Sequence, residues 1–276
     1  MILPVELLYW KDMLMSKYPL DWCLTTKNEG AFIQCHFTTL GRFIDLNKLN
    51  IHIVDRGSTD NTMEYLNTIP AKKYHVEPYK QEGFNIGYPG SSYGYDLAHK
   101  MDYMVRNCGN EEWCVIVHPD VWFLNNFNME LLLELMKEDV GMIGDACGFM
   151  AIRRKAYLQS PIGFWPFLGM AIYQRKLNYD EYKININGLI EKWDLYLTGN
   201  TLPILGPDVG ELLMVQLQIL GWKWIPLANT RLSLYHPNTV LRHISGGSGY
   251  WMNNENDKIE LQQRKDAAKA YQGGSL

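Results

Sequence analysis

The sequence predicts an α/β fold in which helices cover both faces of a mostly parallel sheet. In the first half of the chain, short apolar runs rich in β-branched residues alternate with stretches of helical period, and the loops between them are short. This alternation is typical of parallel strands joined by crossover helices. Residues 159–207 are rich in aromatic residues, Asn, Gly and Pro, have no clean period, and are predicted to form an irregular segment.

Two strands and two helices are predicted in the first part of the chain. Residues 21–26 form a short apolar run that predicts a buried strand. The helix after it has one apolar face, because four residues recur at helical spacing: Ile33, Phe37, Leu40 and Ile44. Residues 50–55 predict a second strand, and Thr59 or Asp60 is placed to cap a helix that begins near Thr62.

The remaining predicted elements continue the alternation of strands and helices in the first half of the chain, and the second half is less regular. They are strands at 74–76, 113–117, 150–152 and 223–225 and helices at 91–107, 129–137 and 209–220. Gly221 is placed to end the last of these helices. The polar stretch after Glu255 predicts a terminal helix with a frayed end.

Composition excludes two broad classes of protein. The chain of 276 residues has 26 Lys and Arg against 30 Asp and Glu, a formal net charge of −4. Nucleic-acid binders instead concentrate cationic side chains that neutralise phosphates. Hydrophobic residues make up 47% and charged residues 20%, the balance of a chain that packs a core rather than of a disordered one. The sequence therefore predicts a folded protein that does not bind nucleic acid.

Cysteine usage and hydropathy predict a cytoplasmic location. The five cysteines are scattered without Cys-x-x-Cys spacing, so neither a disulfide framework nor a zinc knuckle is indicated. The stretch MILPVELLYWKDMLMSKY lacks the basic start and small-residue cleavage site of a signal peptide. No apolar run reaches the roughly 18 residues that a membrane helix needs, which leaves peripheral membrane contact open.

Polar residues cluster where three of the predicted strands end, at 25–28, 55–60 and 118–120. In parallel α/β sheets, ligands bind beyond the carboxyl ends of the strands, where loops and helix N-termini gather. Asp55 directly follows a buried run, so its carboxylate is predicted to emerge at the mouth of a binding site with acceptors free for a ligand. Asp60 is better explained as a helix cap.

Six segments resemble motifs of family 2 glycosyltransferases and occur in the order of that family. IHIVDRGSTDNTMEYL resembles its nucleotide-binding strand and turn, LTTKNEG its first strand with a trailing Asn, and VIVHPDVWF its metal-binding strand end. MAIRRKAYL resembles the segment bordering the acceptor site, GPDVGELLMVQLQILGWKWIPL the helix that carries the catalytic base, and RHISGGSGYW a late His-x-x-Gly-Gly-x-Ser element. Together the segments span residues 21–251.

The resemblance implies the GT-A fold, a Rossmann-like, mostly parallel sheet with helices on both faces and an irregular acceptor-side segment. It implies one glycosyltransferase domain over residues 1–251, with the nucleotide-binding half at about 20–125 and the acceptor and catalytic half at about 126–251. Residues 252–276 are then expected to form a C-terminal helical tail.

The resemblance also implies inverting transfer of a sugar from a nucleotide-diphosphate donor, a UDP- or dTDP-sugar, to a hydroxyl of a glycan or glycoconjugate. Asp55 would recognise the base, with Thr25 and Gly57 near the base and ribose. Four further residues are assigned to the donor pocket: Asn28, Asn85, Gly87 and His118. Two other interpretations stay open: a catalytically silent protein that binds nucleotide sugars or carbohydrate on the same scaffold, and a sugar-1-phosphate nucleotidyltransferase.

The family holds Mn²⁺ or Mg²⁺ on the donor's diphosphate, and the resemblance assigns Asp120 and His243 to that site. A hard dication there would offset the negative charge that collects on the leaving group. The family's usual Asp-x-Asp is replaced by His118-Pro119-Asp120, closer to the Asn-Pro-Asp of rhamnosyltransferase-like members. Loss of one carboxylate is expected to weaken metal binding, since imidazole is a poorer ligand for Mg²⁺.

An inverting transfer needs a general base for the acceptor hydroxyl. The resemblance assigns this role to Asp208, with Glu211 as the alternative, while a helix cap is the structural interpretation of Asp208. Family members carry an adjacent Glu-Asp pair, whereas Pro207 precedes Asp208 here. Phe164 and Trp165 are predicted either to form an aromatic platform for the acceptor or to pack in the core.

Overall fold

The computed structural model describes residues 17–76, 91–123, 127–144, 148–160, 163–164, 210–227, 241–243, 262–263 and 265–266. Its strands are β1 (Leu20–Thr26), β2 (Asn50–Asp55), β3 (Ala71–His75), β4 (Trp113–Val117), β5 (Val121–Phe123), β6 (Val140–Gly144), β7 (Phe149–Arg153), β8 (Lys223–Ile225) and β9 (Leu241–His243). Its α-helices are α1 (Gly30–Leu40), α2 (Thr62–Leu66), α3 (Ser91–Asn107), α4 (Met129–Leu133), α5 (Arg154–Gln159) and α6 (Glu211–Ile219).

Seven strands form one sheet in the order β3-β2-β1-β4-β7-β6-β8, and β5 and β9 form a separate two-stranded sheet. The strands β3, β2, β1 and β4 pair in parallel, β7 is antiparallel to both β4 and β6, and β8 is parallel to β6. The parallel strands therefore all end at the same edge, called the carboxyl edge below. The predicted α/β fold with a mostly parallel sheet is confirmed.

Helices pack on both faces of the sheet, as predicted. Along β4, Trp113, Val115 and Val117 lie in a core formed with α1, α2 and α4. Cys114 and Ile116 face a second core, formed with α3, α5 and α6. All five side chains belong to residues that are at most 4% exposed. The alternation is the two-residue period of a strand, and burial on both faces explains why the run is continuously apolar.

The observed bounds of β2, β4 and α3 equal the predicted ones. The four residues of the predicted apolar helix face all lie in one core, but α1 ends at Leu40, so Ile44 packs from the segment after the helix. Sequence patterns miss β5, β6 and β9. The strands β5 and β9 have three residues each, too few to show a period, and β6 contains two glycines. Among the helices of the described residues, none is long and apolar enough to cross a membrane.

Asp21 ties the amino end of β1 to three other segments. The residue is 1% exposed, and its Oδ1 accepts a hydrogen bond from His52 Nε2 at 3.0 Å. Its Oδ2 accepts from the Arg154 guanidinium at 2.7 Å and from the backbone N–H of Glu111 at 2.9 Å. Burial opposes ionisation of this carboxyl, but the hydrogen bonds and the positive charge of Arg154 outweigh it, so the pKa of Asp21 is lowered.

The surroundings of Asp21 extend to β3 and to the loop before β4. His52 Nδ1 and the Tyr74 hydroxyl are hydrogen-bonded at 2.9 Å, and the two rings stack. Gly109 has a φ of +78°, and a Cβ at that position would lie 2.1 Å from the Asp21 carboxylate. Glycine is needed here for its left-handed backbone and for this close approach. The network fixes the strands at the edge opposite the carboxyl edge.

We expect Asp21→Asn to lower the free energy of unfolding by about 3 kcal/mol, because it leaves the buried Arg154 cation without its carboxylate. Urea denaturation at pH 7 measures the change. Asp139→Asn is the control, since the Asp139–Lys223 ion pair is 61% and 60% exposed and should not matter measurably. A loss below about 1 kcal/mol for Asp21→Asn would contradict the role given to this network.

Candidate functional site

The loops that follow β1, β2 and β4 adjoin at the carboxyl edge. The strand β1 lies between β2 and β4, and its last residue, Thr26, is in register with Asp55 at the end of β2. Hydrogen bonding continues past the strands, since Arg56 N–H donates to Thr26 O at 2.9 Å. The polar clusters that the sequence places at three strand ends are therefore neighbours in space.

Asp55 is 7% exposed, and its carboxylate is hydrogen-bonded within its own loop. Oδ2 accepts from Gly57 N–H at 2.9 Å and from Ser58 N–H at 3.1 Å, and Oδ1 accepts from Ser58 Oγ at 2.6 Å. A carboxylate has about four acceptor positions, so these donors leave about one for a ligand. The prediction that the Asp55 acceptors are free is wrong for most of them, because the N–H groups of the turn need acceptors.

Asn28 joins the loop after β1 to the loop after β2. Its backbone is left-handed, with a φ of +58°, a conformation that Asn tolerates better than most residues. Its Oδ1 accepts from Thr59 N–H at 2.7 Å, and its own N–H donates to Ser58 Oγ at 2.9 Å. The N-cap of α2 is Asn61 and not Thr59 or Asp60 as predicted, although Asp60 Oδ1 accepts a hydrogen bond from the first helical N–H, that of Thr62, at 3.0 Å. A contact of Asn28 with a nucleotide sugar stays a prediction.

Thr25 is 3% exposed and lies one residue before the end of β1, in register with Val54. Its hydroxyl has no hydrogen-bond partner within the part of the chain that the structure describes. Buried hydroxyls are normally paired, so an unpaired one beside the carboxyl edge calls for an explanation. A ligand atom at this edge could supply the partner, and the contact of Thr25 with a nucleotide sugar stays a prediction.

Asp120 lies in the turn between β4 and β5 and is 3% exposed. The half-buried His118 begins this turn, and its N–H donates to Gly148 O at 2.7 Å. Val121 N–H closes the turn by donating to His118 O at 3.1 Å. Both predicted residues thus stand directly beyond the carboxyl end of β4.

Glu29 is a candidate site residue that sequence reasoning misses. It directly precedes α1, is 5% exposed, and accepts a hydrogen bond from Lys27 N–H at 3.1 Å. Burial raises its pKa to about 7; the Arg56 guanidinium opposes the rise, and the negative charge of Asp120 adds to it. A carboxyl group that titrates near neutrality beside a second carboxyl is typical of a functional site. The signal in the sequence is its place in the loop directly after β1.

Buried charges also connect β2 to α3. Arg56 is 3% exposed and its guanidinium lies 3.4 Å from Asp96 Oδ2. Lys100 is fully buried, donates to Val76 O at 2.8 Å and lies 3.5 Å from Asp96 Oδ1. Sequence reasoning misses both cations, because Lys and Arg are ordinarily exposed and no local pattern reports their burial.

The pairing of β5 with β9 brings His243 close to Asp120. The two strands are antiparallel, and Val121, the residue after Asp120, is in register with His243. Paired residues of antiparallel strands have Cα atoms about 4.5–5.5 Å apart. The backbones of the two residues assigned to the metal site are therefore neighbours, although the residues are far apart in the sequence.

The helix α6 begins at the carboxyl edge. Only three residues separate its end from β8, and β8 begins at the edge opposite the carboxyl edge because it is parallel to β6. The helix therefore runs back from the carboxyl edge, and its first residue, Glu211, stands at that edge. Its predicted start at 209 and end at 220 are each within two residues of the observed bounds. Four predicted site residues lie outside the described residues: Asn85, Gly87, Trp165 and Asp208.

Phe164 is a core residue. It is fully buried, and its ring centroid lies 5.0 Å from that of Tyr157 in the core shared with α3, α5 and α6. A side chain without exposed surface cannot stack on an acceptor, so the predicted aromatic platform does not include Phe164. Burial of its apolar ring instead stabilises the folded state.

The residues at the carboxyl edge fit a divalent cation in the chemistry of their donors. Asp120 offers a carboxylate and His243 an imidazole, a mixed set that suits Mn²⁺ better than the oxygen-preferring Mg²⁺. Among the described side chains, no three His, Cys, Asp or Glu residues form a cluster that could hold a metal ion. A bound ion would therefore need further ligands, such as water or the oxygens of a bound ligand.

No protein-family model and no curated protein matches the sequence. Among solved structures, the chain is similar to the mannosyltransferase PcManGT from Pyrobaculum calidifontis in complex with GDP-Man and Mn²⁺, at 14% identity and a TM-score of 0.47 over 98% of this chain and 84% of that one. It is similar to glucosyl-3-phosphoglycerate synthase from Mycobacterium tuberculosis in complex with Mn²⁺, UDP and phosphoglyceric acid, at 12% identity and a TM-score of 0.42 over 96% and 81%. It is also similar to S. aureus TarS 1-349 in complex with UDP-GlcNAc, at 15% identity and a TM-score of 0.35 over 52% and 48%. Identities and TM-scores this low do not transfer an activity to this chain.

Glu29→Gln is expected to change the pH dependence of stability in the metal-free protein. The folded pKa of Glu29, about 7, lies above the ordinary value of 4.5, so the folded state takes up a proton as the pH falls through this interval. The wild-type protein thereby gains roughly 3 kcal/mol of stability that Gln cannot provide. Urea denaturation of both proteins between pH 4.5 and 7.5 with EDTA measures the difference.

Comparing Glu29→Gln with wild type separates the contribution of Glu29 to the pH dependence of stability from that of His36, which has the opposite sign. Burial lowers the pKa of His36 to about 4, so it removes stability as the pH falls below 6.5 in both proteins. Glu64→Gln, an exposed change in α2, is the control and should leave the profile unchanged. Parallel profiles for Glu29→Gln and wild type would show that the pKa of Glu29 is the same in the folded and unfolded states, contrary to the expectation.

Proposed function

We propose that this chain is an inverting glycosyltransferase that moves a sugar from a nucleotide-diphosphate donor, a UDP- or dTDP-sugar, to a hydroxyl of a glycan or glycoconjugate. Two independent observations support the proposal. The first is the ordered set of family 2 motifs over residues 21–251. The second is the sheet order, in which the strands carrying the first three motifs are neighbours and end at one edge.

The observation that carries the proposal is the pairing of β5 with β9. The residues that the family resemblance assigns to one metal site, Asp120 and His243, have neighbouring backbones because Val121 is in register with His243. No local pattern requires these two short strands to meet. A shared site for the diphosphate of a nucleotide sugar accounts for their pairing.

Charge at the carboxyl edge suits a diphosphate leaving group. As the sugar departs, negative charge grows on the diphosphate oxygens, and a divalent ion held by Asp120 and His243 would supply opposite charge there. Arg56 and Lys100 are buried beside the ends of β2 and β3, and because both lie within 3.5 Å of the Asp96 carboxylate, the three groups add one net positive charge there. In this proposal, Thr25 and the Asp55 loop contact the base and ribose.

The acceptor hydroxyl must lose its proton as its oxygen attacks the sugar from the face opposite the leaving group. We assign the base to Asp208, three residues before the first residue of α6. A carboxylate at this place would take the hydroxyl proton while the C–O bond to the diphosphate breaks. Glu211 is the alternative base, since its backbone stands at the carboxyl edge.

Asp120→Asn is expected to remove the Mn²⁺-dependent part of nucleotide binding. Differential scanning fluorimetry with UDP, dTDP, GDP and ADP, each with and without Mn²⁺, measures it. For the wild type, UDP or dTDP at 100 times its Kd should stabilise the protein by about 2.7 kcal/mol when Mn²⁺ is present. Asp139→Asn should behave as wild type. Equal Mn²⁺-dependent stabilisation of Asp120→Asn and wild type would show that Asp120 does not belong to the site.

Reactions of labelled nucleotides separate the enzyme from the alternatives. Sugar transfer or slow hydrolysis of a nucleotide sugar with Mn²⁺ would support the transferase. Tight binding of a nucleoside diphosphate without turnover of any donor would instead identify a catalytically silent binding protein. Release of pyrophosphate from a nucleoside triphosphate would identify a nucleotidyltransferase.

Asp208→Asn is expected to lower turnover by about two orders of magnitude or more and to leave the donor Kd nearly unchanged, because a base acts on the acceptor in the transition state. Steady-state rates and a separate donor titration measure the two effects. Glu211→Gln is the matched variant. An unchanged rate in Asp208→Asn together with a loss in Glu211→Gln would move the role to Glu211.

A further inference from the structure

A helix holds β5 beside the main sheet. The strand pairs with β9 and lies outside the seven-stranded sheet. On its other side, His36 Nδ1 donates to Val121 O at 2.8 Å, and Thr39 Oγ1 accepts from Phe123 N–H at 3.1 Å. The backbone groups of residues two apart point to the same side of a strand, so two side chains of α1 take the place of a neighbouring strand.

The hydrogen bonds around His36 fix its tautomer. A carbonyl oxygen only accepts, so Nδ1 must carry the proton that Val121 O receives. The indole N–H of Trp22 only donates, and it lies 3.3 Å from Nε2, which must therefore be the acceptor. The ring of His36 is fully buried and lies edge-on to Phe123 at 5.1 Å. Both ring nitrogens of His36 therefore have hydrogen-bond partners.

These contacts form a continuous connection from the main sheet to Asp120. Trp22 lies in β1, the strand at the centre of the parallel region, and His36 lies in α1. Val121 directly follows Asp120, and Glu29 directly precedes α1. The same helix therefore sets the positions of both carboxyl groups at the carboxyl edge.

We propose that His36 is a positioning residue for the cation site. Through Val121 O it sets the position of Asp120, and through the pairing of Val121 with His243 it sets the position of both residues assigned to the ion. The identity of the ion rests on the function proposed above. The placement of β5 by His36 does not, and it can be tested without any ligand.

Two substitutions at His36 separate its hydrogen bonds from its bulk. His36→Phe keeps an aromatic ring and removes both hydrogen bonds, whereas His36→Asn keeps an N–H donor near the position of Nδ1. The first readout is the affinity of the whole chain for Mn²⁺ alone, measured from the electron paramagnetic resonance signal of the free ion. The second is amide hydrogen exchange over residues 118–123 of the metal-free protein.

His36→Phe is expected to weaken Mn²⁺ binding at least about tenfold, as loss of a group that orients a metal ligand does elsewhere. Exchange over residues 118–123 should accelerate at least about tenfold, while exchange in β2 stays within about twofold of wild type. His36→Asn should restore both quantities to within about threefold of wild type. Trp22→Phe, which removes the donor to Nε2, should give a smaller change in the same direction and serves if His36→Phe does not fold.

His52→Phe is the matched control. His52 is also buried and hydrogen-bonded, but to Asp21 and Tyr74 at the opposite edge of the sheet. It should lower the melting temperature and leave both the Mn²⁺ affinity and the exchange of residues 118–123 unchanged. This separates positioning from a general loss of stability.

Unchanged exchange over residues 118–123 in His36→Phe would overturn the positioning role, whatever the result with Mn²⁺. Faster exchange with unchanged Mn²⁺ affinity would overturn the link between His36 and the cation site. Negligible Mn²⁺ binding by both the wild type and Asp120→Asn, with and without UDP, would contradict the proposed metal site. In that case the exchange experiment alone decides whether His36 positions β5.

Discussion

The burial of the Asp21 carboxylate among a histidine, a guanidinium and a backbone N–H is the interaction on which the arrangement of the sheet depends. A buried carboxylate is costly unless donors surround it, and the donors to Asp21 come from β2, from α5 and from the loop before β4. Satisfying one side chain therefore requires these distant segments to meet at the amino end of β1. These contacts hold the amino end of β1 to β2, to α5 and to the loop before β4, at the edge opposite the polar loops.

The carboxyl groups near the two ends of β1 have pKa values shifted in opposite directions. At the amino end, donors outweigh desolvation and the pKa of Asp21 is lowered. At the carboxyl end, desolvation of Glu29 is stronger than the donors around it, and its pKa rises to about 7. A protein retains an uncompensated carboxyl of this kind where a proton, a cation or a ligand is to be exchanged, rather than where the fold needs support. The opposite pKa shifts of Asp21 and Glu29 therefore distinguish a carboxylate that supports the fold from one that belongs to the candidate site.

Sequence patterns predicted the scaffold well and the site only in part. Continuous apolar runs identified β2 and β4 because burial on both faces leaves a strong local signal. The strand-end rule placed Asp120 correctly, and local turn chemistry explains why most acceptors of Asp55 are used within its loop. The only signal of Glu29 was its place in the loop directly after β1, and His36 gave none, because the surroundings of both residues are formed by segments distant in sequence. The same reason applies to β5 and β9, whose pairing is a tertiary contact between runs too short for any period.

The loops at the carboxyl edge are bonded to one another by Asn28 and to their own strand by Asp55. A ligand that binds to these loops would meet a backbone that is already hydrogen-bonded, so little conformational entropy would be lost on association. Rigid loops of this kind discriminate by shape. A ligand of the wrong size would be excluded, because the loops cannot rearrange around it without breaking the hydrogen bonds of Asn28 and Asp55.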